Sequence, residues 1–236
     1  MYTSTGNALK NMNALKPSAA LRSAMRARGR RTGSITYFYS SKNNRDLIFG
    51  TELEFSCGLL LEADERVKNY EIDSGLINYH LDKKAFLGDK PNFIVIHHDG
   101  SVLYRKTKYL EVISFNIEDD RNILFADAAG VSWDYFTEDQ ARSNLRLIHD
   151  WLLICTVLAQ TRYSVTAKWI SLSRDVISTI GNGIFLEDLQ KMCDQPWDEI
   201  FSTAFKLVQL GVIKSDLDSL PLSPKTILNI GQFYGR

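Results

Sequence analysis

Residues Lys90–Gly100 read KPNFIVIHHDG. A proline, a polar residue and an aromatic lead into a short apolar run, and an Asp-Gly pair ends it. This is the pattern of a strand that enters a core and turns back. Asp99-Gly100 readily supplies the positive φ angles of a type I′ hairpin turn. Asn92 stands at the strand entrance, and the segments on either side decide what that entrance belongs to.

Upstream, ITYFYSSKN (35–43) alternates and is rich in aromatic and β-branched residues, so it reads as a strand. RDLIFG leads into Thr51, an N-cap residue with Glu54 three positions on, the spacing of a capping box. The helix that follows, TELEFSCGLLLEAD, sets Leu53, Cys57, Leu60 and Leu61 on one face. VKNYEI (67–72), LINYHL (76–81), NFIVIHH (92–98) and SVLYRKTKYLEVISFNI (101–117) read as strands, 118–130 as a charged turn with a short amphipathic piece, and VSWDYF (131–136) as the last strand.

Thr137 then caps a long helix, TEDQARSNLRLIHDWLLICTVLAQ, with Glu138 and Asp139 in its first turn. Its second half is apolar nearly all round, which predicts burial between two bodies. From about residue 164 the periodicity is helical in three further segments: VTAKWISLSRDVIST, FLEDLQKMC and WDEIFSTAFKLVQLGVI, the last stopped by Gly211. SPKTILNI follows as a short β-like tail. Three helices and a β tail are the order of a winged helix. Residues 186–217 carry six acids against three lysines, which weakens a DNA-reading role for it.

The net charge is zero over 236 residues, but its distribution is uneven. Lys10, Lys16, Arg22, Arg26, Arg28, Arg30, Arg31, Lys42 and Arg45 all precede the first acid, Asp46, so the rest of the chain is acidic. An arm of this kind neutralises phosphates or is a solvated tail. Arg22, Arg26, Arg28, Arg30, Arg31 and Lys42 are its candidate DNA contacts. The longest apolar run, 151–159, is half the length of a membrane span, so no membrane partner is expected. Cys57, Cys155 and Cys193 form no CxxC pair and read as reduced residues of a cytoplasmic protein.

A core of mixed strands behind one helix can hold a PD-(D/E)XK metal site. That site needs an acid on the helix, an Asp at a strand entrance, and an acid and a Lys one residue apart on the next strand. The carboxylates hold Mg²⁺, which polarises a phosphate and activates water. Here Glu54 is on the helix, Pro91-Asn92-Phe93 opens a strand, and Tyr109-Leu110-Glu111-Val112-Ile113 lies on the return strand.

FYSSKNNRDLIFGTELEFSCGLLLEADERVKNYE (38–71), PNFIVIHHDGSVLYRKTKYLEV (91–112) and DYFTEDQAR (134–142) resemble the N-terminal domain of the TnsA-type transposon-end endonucleases. The resemblance covers about residues 28–150. It implies an α/β fold: a restriction-endonuclease-like mixed β-sheet core with flanking helices, then a helical, winged-helix-like C-terminal domain. The expected units are a basic arm over 1–33, a nuclease-fold domain over 34–150 and a partner-binding domain over 151–236. The implied partners are transposon-end DNA, a DDE-type transposase and an AAA+ ATPase regulator, in a bacterial, cytoplasmic, DNA-associated setting.

By the same resemblance, Glu54 matches the helix acid, with Glu52 the runner-up on another face. Asn92 stands where the metal-binding Asp belongs, Glu111 matches the acid of the last motif, and Ile113 stands where its Lys belongs. A register shifted to Lys106-Thr107-Lys108 recovers a lysine, with Lys108 as the substitute, but sets another lysine in place of the acid. Glu54 and Glu111 alone would hold Mg²⁺ weakly. The expectation is a transposition subunit with an inactive nuclease domain. Two alternatives stay open. One is an active Mg²⁺-dependent endonuclease with a rearranged site drawing on Asp99, His97, His98, Lys106 or Lys108. The other is an assembly protein of a phage or mobile element that borrows the fold.

Overall fold

The computed structural model describes residues 35–72, 91–109, 117–181 and 183–231. The expected strand at 76–81, the basic arm, Glu111 and Ile113 lie outside them.

The expected first strand is a hairpin. β1 (Thr36–Ser40) pairs antiparallel with β2 (Arg45–Phe49). Ser41–Asn44 form the turn, where Asn44 takes φ 50 and its side chain accepts from Tyr39 Oη at 2.8 Å. α1 (Glu52–Ala63) starts as the sequence predicts, with Thr51 Oγ1 accepting from Glu54 N at 3.1 Å. The reciprocal half of the capping box is replaced. Glu54 Oε2 accepts from Gly50 N at 2.7 Å instead of from the cap residue.

β3 (Val67–Ile72), β4 (Phe93–His97), β5 (Val102–Lys108) and β6 (Ser132–Thr137) form one mixed sheet in that order. β3–β4 and β4–β5 are antiparallel, and β5–β6 is parallel. The chain crosses from β5 to β6 through α2 (Ile117–Ala128), a full helix where the sequence suggested a charged turn and a short amphipathic piece. The β4–β5 turn is not type I′. Of its two central residues only Gly100 has positive φ (86°), His97 N donates to Ser101 O at 3.0 Å, and Gly100 N donates to His97 O at 3.1 Å. That is a three-residue hairpin with glycine in the left-handed position, which leaves Asp99 unstrained.

After β6, Thr137 caps α3 (Glu138–Ser143) in a full capping box with Gln140. The expected single helix then breaks at Asn144 (φ −108, ψ 15), whose amide donates back to Gln140 O at 2.8 Å. An Asn that can bond its own backbone competes with helix continuation. α4 then runs unbroken through Leu145–Ile180, 36 residues, across the expected boundary at 150/151. No second helix starts near 164. The hydroxyls of Thr161, Ser164 and Thr166 fold back onto Val157, Thr161 and Arg162 carbonyls at 2.6–3.1 Å and stay within the helix. Nor is α4 buried all round. Ile148, Trp151, Ile154, Leu158, Val165, Leu172 and Val176 form the inner stripe, while Leu153 and Ile170 face solvent.

The remainder is β7 (Ile184–Phe185), α5 (Leu186–Met192), α6 (Trp197–Gln209), β8 (Ile213–Ser215) and β9 (Ile227–Ile230), with sheet order β7-β9-β8. α6 ends as Gly211 predicts. Gly211 (φ 70) and Val212 donate to Val208 and Leu207 carbonyls, a Schellman end. α6 packs along α4 through Trp151–Phe205, with Thr161 Oγ1 bonded to Ser202 Oγ at 2.6 Å. No helix among the described residues is long and apolar enough to cross a membrane.

Candidate functional site

The N-terminus of α1 and the entrance of β4 meet. Asn92 Nδ2 donates to Glu54 Oε1 at 3.0 Å, and Asn92 Oδ1 accepts from Thr107 N at 2.9 Å and Thr107 Oγ1 at 3.1 Å. Asn92 N donates to Arg105 O at 2.9 Å, which pins the residue to the start of the β4–β5 pairing. The partners fix which end of the amide is which. A backbone N–H needs an oxygen, and a carboxylate needs a donor. Both Glu54 oxygens are therefore engaged by N–H groups, from Gly50 and from Asn92.

Strand alternation sets the residues around this pair. Arg105 and Thr107 share the face of β5 that looks toward α1, and Tyr104 and Lys108 point the other way. Lys108 Nζ lies 5.0 Å from the Tyr135 ring centre, on the sheet face opposite Glu54. Arg105 is tied to Asp134 by two bonds, Nε–Oδ1 at 2.8 Å and Nη2–Oδ2 at 2.6 Å. Burial works against its charge, and the Asp134 pair outweighs that and holds the guanidinium above its usual range. Beside it, burial pushes the Cys57 thiol up to about 12.

The site brings Glu54 and Asn92 together and adds Thr107, Arg105 and Asp134. It does not gather the other substitutes. His97, His98 and Asp99 lie at the far end of β4, about 17 Å from Asn92 at the strand's rise per residue. His97 Nδ1 is 3.0 Å from Ser101 Oγ, and Asp99 Oδ1 accepts from Ser101 N and Oγ. Lys42, expected to meet DNA, is turned inward. Its Nζ donates to the carbonyls of Asp64, at the end of α1, and Val67, at the start of β3, and burial lowers its pKa to about 8.

Among the described residues, a single carboxylate beside an amide that turns its N–H toward it forms a poor ligand set for Mg²⁺, which binds through several oxygens. No group of three His, Cys, Asp or Glu side chains suited to a metal occurs among these residues.

A second polar centre was not foreseen. Glu62, on the last turn of α1, is fully buried and accepts from Ser40 Oγ, Ser41 Oγ, Tyr70 Oη (2.9 Å) and Gln209 Nε2 (2.7 Å). The signal in the sequence was the Ser-Ser-Lys run interrupting an aromatic strand. No protein-family model matches this chain, and a search of curated proteins finds no match.

Proposed function

We infer that this chain is a TnsA-like DNA-transposition subunit whose nuclease site has been closed, so that it binds DNA and docks onto a transposase or an AAA+ regulator without cutting. The observation that carries this reading is the Glu54–Asn92–Thr107 network. At the position where the resemblance calls for a metal-binding Asp, an amide donates a hydrogen bond to the helix acid. The β5 positions that share this face are Arg105 and Thr107, neither an acid nor a lysine, and Arg105 is spent on Asp134.

The element order supports the fold that the resemblance implies. α1, three antiparallel strands, a crossover helix and a parallel fourth strand make a mixed α/β core compatible with the restriction-endonuclease-like one. α4, β7, α5, α6, β8 and β9, with sheet order β7-β9-β8, follow the order expected of a winged helix, which supports that reading. Its third helix, α6, is buried at nearly every position from Glu199 to Gln209, so it offers no face to a DNA groove. That favours protein docking for this unit.

The test is a nicking assay on transposon-end DNA with Mg²⁺ or Mn²⁺, with and without the cognate transposase. The expected result is binding without cleavage, and Glu54→Ala leaves that unchanged. Metal-dependent nicking that Glu54→Ala abolishes would overturn the reading.

A further inference from the structure

The β1–β2 ribbon and the middle of α4 border a cleft that the site above does not use. Along β1 the side chains alternate, with Phe38 and Ser40 buried and Tyr37 and Tyr39 on the other face. From α4, the Arg162 guanidinium lies 4.9 Å from the Tyr39 ring centre and 4.8 Å from that of Tyr163. It donates to Tyr163 Oη at 3.0 Å and to Asp46 Oδ1 at 3.4 Å, and Tyr37 Oη donates to Asp46 Oδ2 at 3.2 Å. The cleft, about 550 Å³, also takes in Arg45, Asn44 and Thr166.

A guanidinium held between two rings orders both rings. Yet Tyr163 remains 77% exposed and Tyr37 55%. An ordered, exposed ring is a ready stacking platform, because a ligand need not freeze it on binding. Every nucleobase has a π face. Platforms of rings and arginine bind unstacked bases while nearby cations take the backbone phosphates. Arg45 is the cation at hand, half exposed and 4.0 Å from Glu71. Bases inside an intact duplex are stacked on one another and cannot reach such a ring.

We propose that this cleft binds an unpaired stretch of DNA, with a base stacked on Tyr163 and phosphate oxygens at Arg45 and Arg162. The proposal rests on the DNA-binding reading above and gives it a location. Chain order agrees: Arg28, Arg30 and Arg31 precede Tyr37 by nine residues or fewer, so the basic arm enters the fold at the strand that carries two of the rings.

The test is fluorescence anisotropy of the full chain with a short labelled thymidine oligonucleotide and with a duplex of the same length. Tyr163→Ala weakens single-strand binding roughly ten-fold, Tyr163→Phe restores it, and duplex binding is unchanged by either. Tyr163 is exposed, so an unchanged melting temperature accompanies the loss. A Tyr163→Ala affinity within about two-fold of wild type on the single strand, or an equal loss on the duplex, overturns the proposal. If the wild-type chain binds the duplex and not the single strand, the cleft assignment falls and the DNA-binding reading stands. If it binds neither, both fall.

Discussion

Gln209 reaches Glu62 across 147 positions of chain: its Nε2 donates to Glu62 Oε2 at 2.7 Å and to the Glu62 carbonyl at 3.2 Å. Ser40, Ser41 and Tyr70 donate to the same carboxylate, so the sheet domain and the C-terminal helices share one buried acceptor. Glu62→Gln sets an amide donor among donors and removes the charge they surround. We expect a loss of about 3 kcal/mol in urea unfolding. Gln209→Leu leaves Ser40 and Tyr70 in place and costs less, about 1–2 kcal/mol. Equal losses for the two would show that the carboxylate is not the centre.

Asn92→Asp replaces the amide donor with a second carboxylate against Glu54, where the atoms now sit at 3.0 Å. Like charges at that distance repel, and Thr107 N retains its acceptor. In chelator, the melting temperature falls by an amount equivalent to about 2 kcal/mol. Millimolar Mn²⁺ raises the variant's melting temperature and leaves the wild type's unchanged, because only the variant gains a carboxylate pair. A variant as stable as wild type in chelator would mean that the Glu54–Asn92 bond contributes nothing.

Gly58 faces the ring of Phe49. A Cβ placed on Gly58 would lie 2.5 Å from Phe49 Cζ, and Phe49 is itself enclosed by Phe38, Phe55 and Phe93. Gly58→Ala should destabilise by about 2 kcal/mol through overpacking, despite alanine's better helix propensity. Phe49→Leu in the same chain relieves the clash, so the double variant should be more stable than the two single losses added together predict.

Lys42 gives the fold a pH signature. Burial lowers its ionisation to about 8 from the unfolded 10.5, so between those values the unfolded chain holds the extra proton. Stability from this residue therefore rises with pH from about 8 to 10.5, by about 3 kcal/mol. The neutral amine keeps two N–H donors for the Asp64 and Val67 carbonyls. Urea titrations of wild type and Lys42→Met at pH 7.5 and 10 isolate the term, because other groups titrate alike in both. A wild-type curve that does not gain on the variant removes the inward placement.

Local chemistry made much of this legible in advance. Thr51 and Thr137 are N-caps as expected, Thr137 of a helix shorter than the one foreseen, and VKNYEI is a strand over the six residues named, because caps and period-two alternation depend on neighbours in sequence. The joint between Glu54 and Asn92 follows the order of elements that the sequence suggests. What escaped depends on distant partners or on competition within one turn. The Glu62 centre needs a donor 147 residues away, which no periodicity carries. The continuity of α4 through Thr161–Thr166 rests on hydroxyls turned back onto carbonyls, and the same residue types could equally have ended the helix. The face on which Lys108 lies follows from the β4–β5 register, which the turn sets: counting Gly100 as a left-handed bulge, not half of a type I′ turn, puts Arg105 and Thr107 beside Asn92.

α4 spans roughly 54 Å at 1.5 Å per residue. Both units grip it over overlapping lengths, with no break between them: Trp151, near its start, packs on Phe205 of α6, and Arg162, at its middle, reaches Asp46 and Tyr39 of the β1–β2 ribbon. Mechanically it is a single shaft. Swivelling one unit against the other would require bending the shaft, at the expense of its own hydrogen bonds, or stripping it from one of its two sets of contacts.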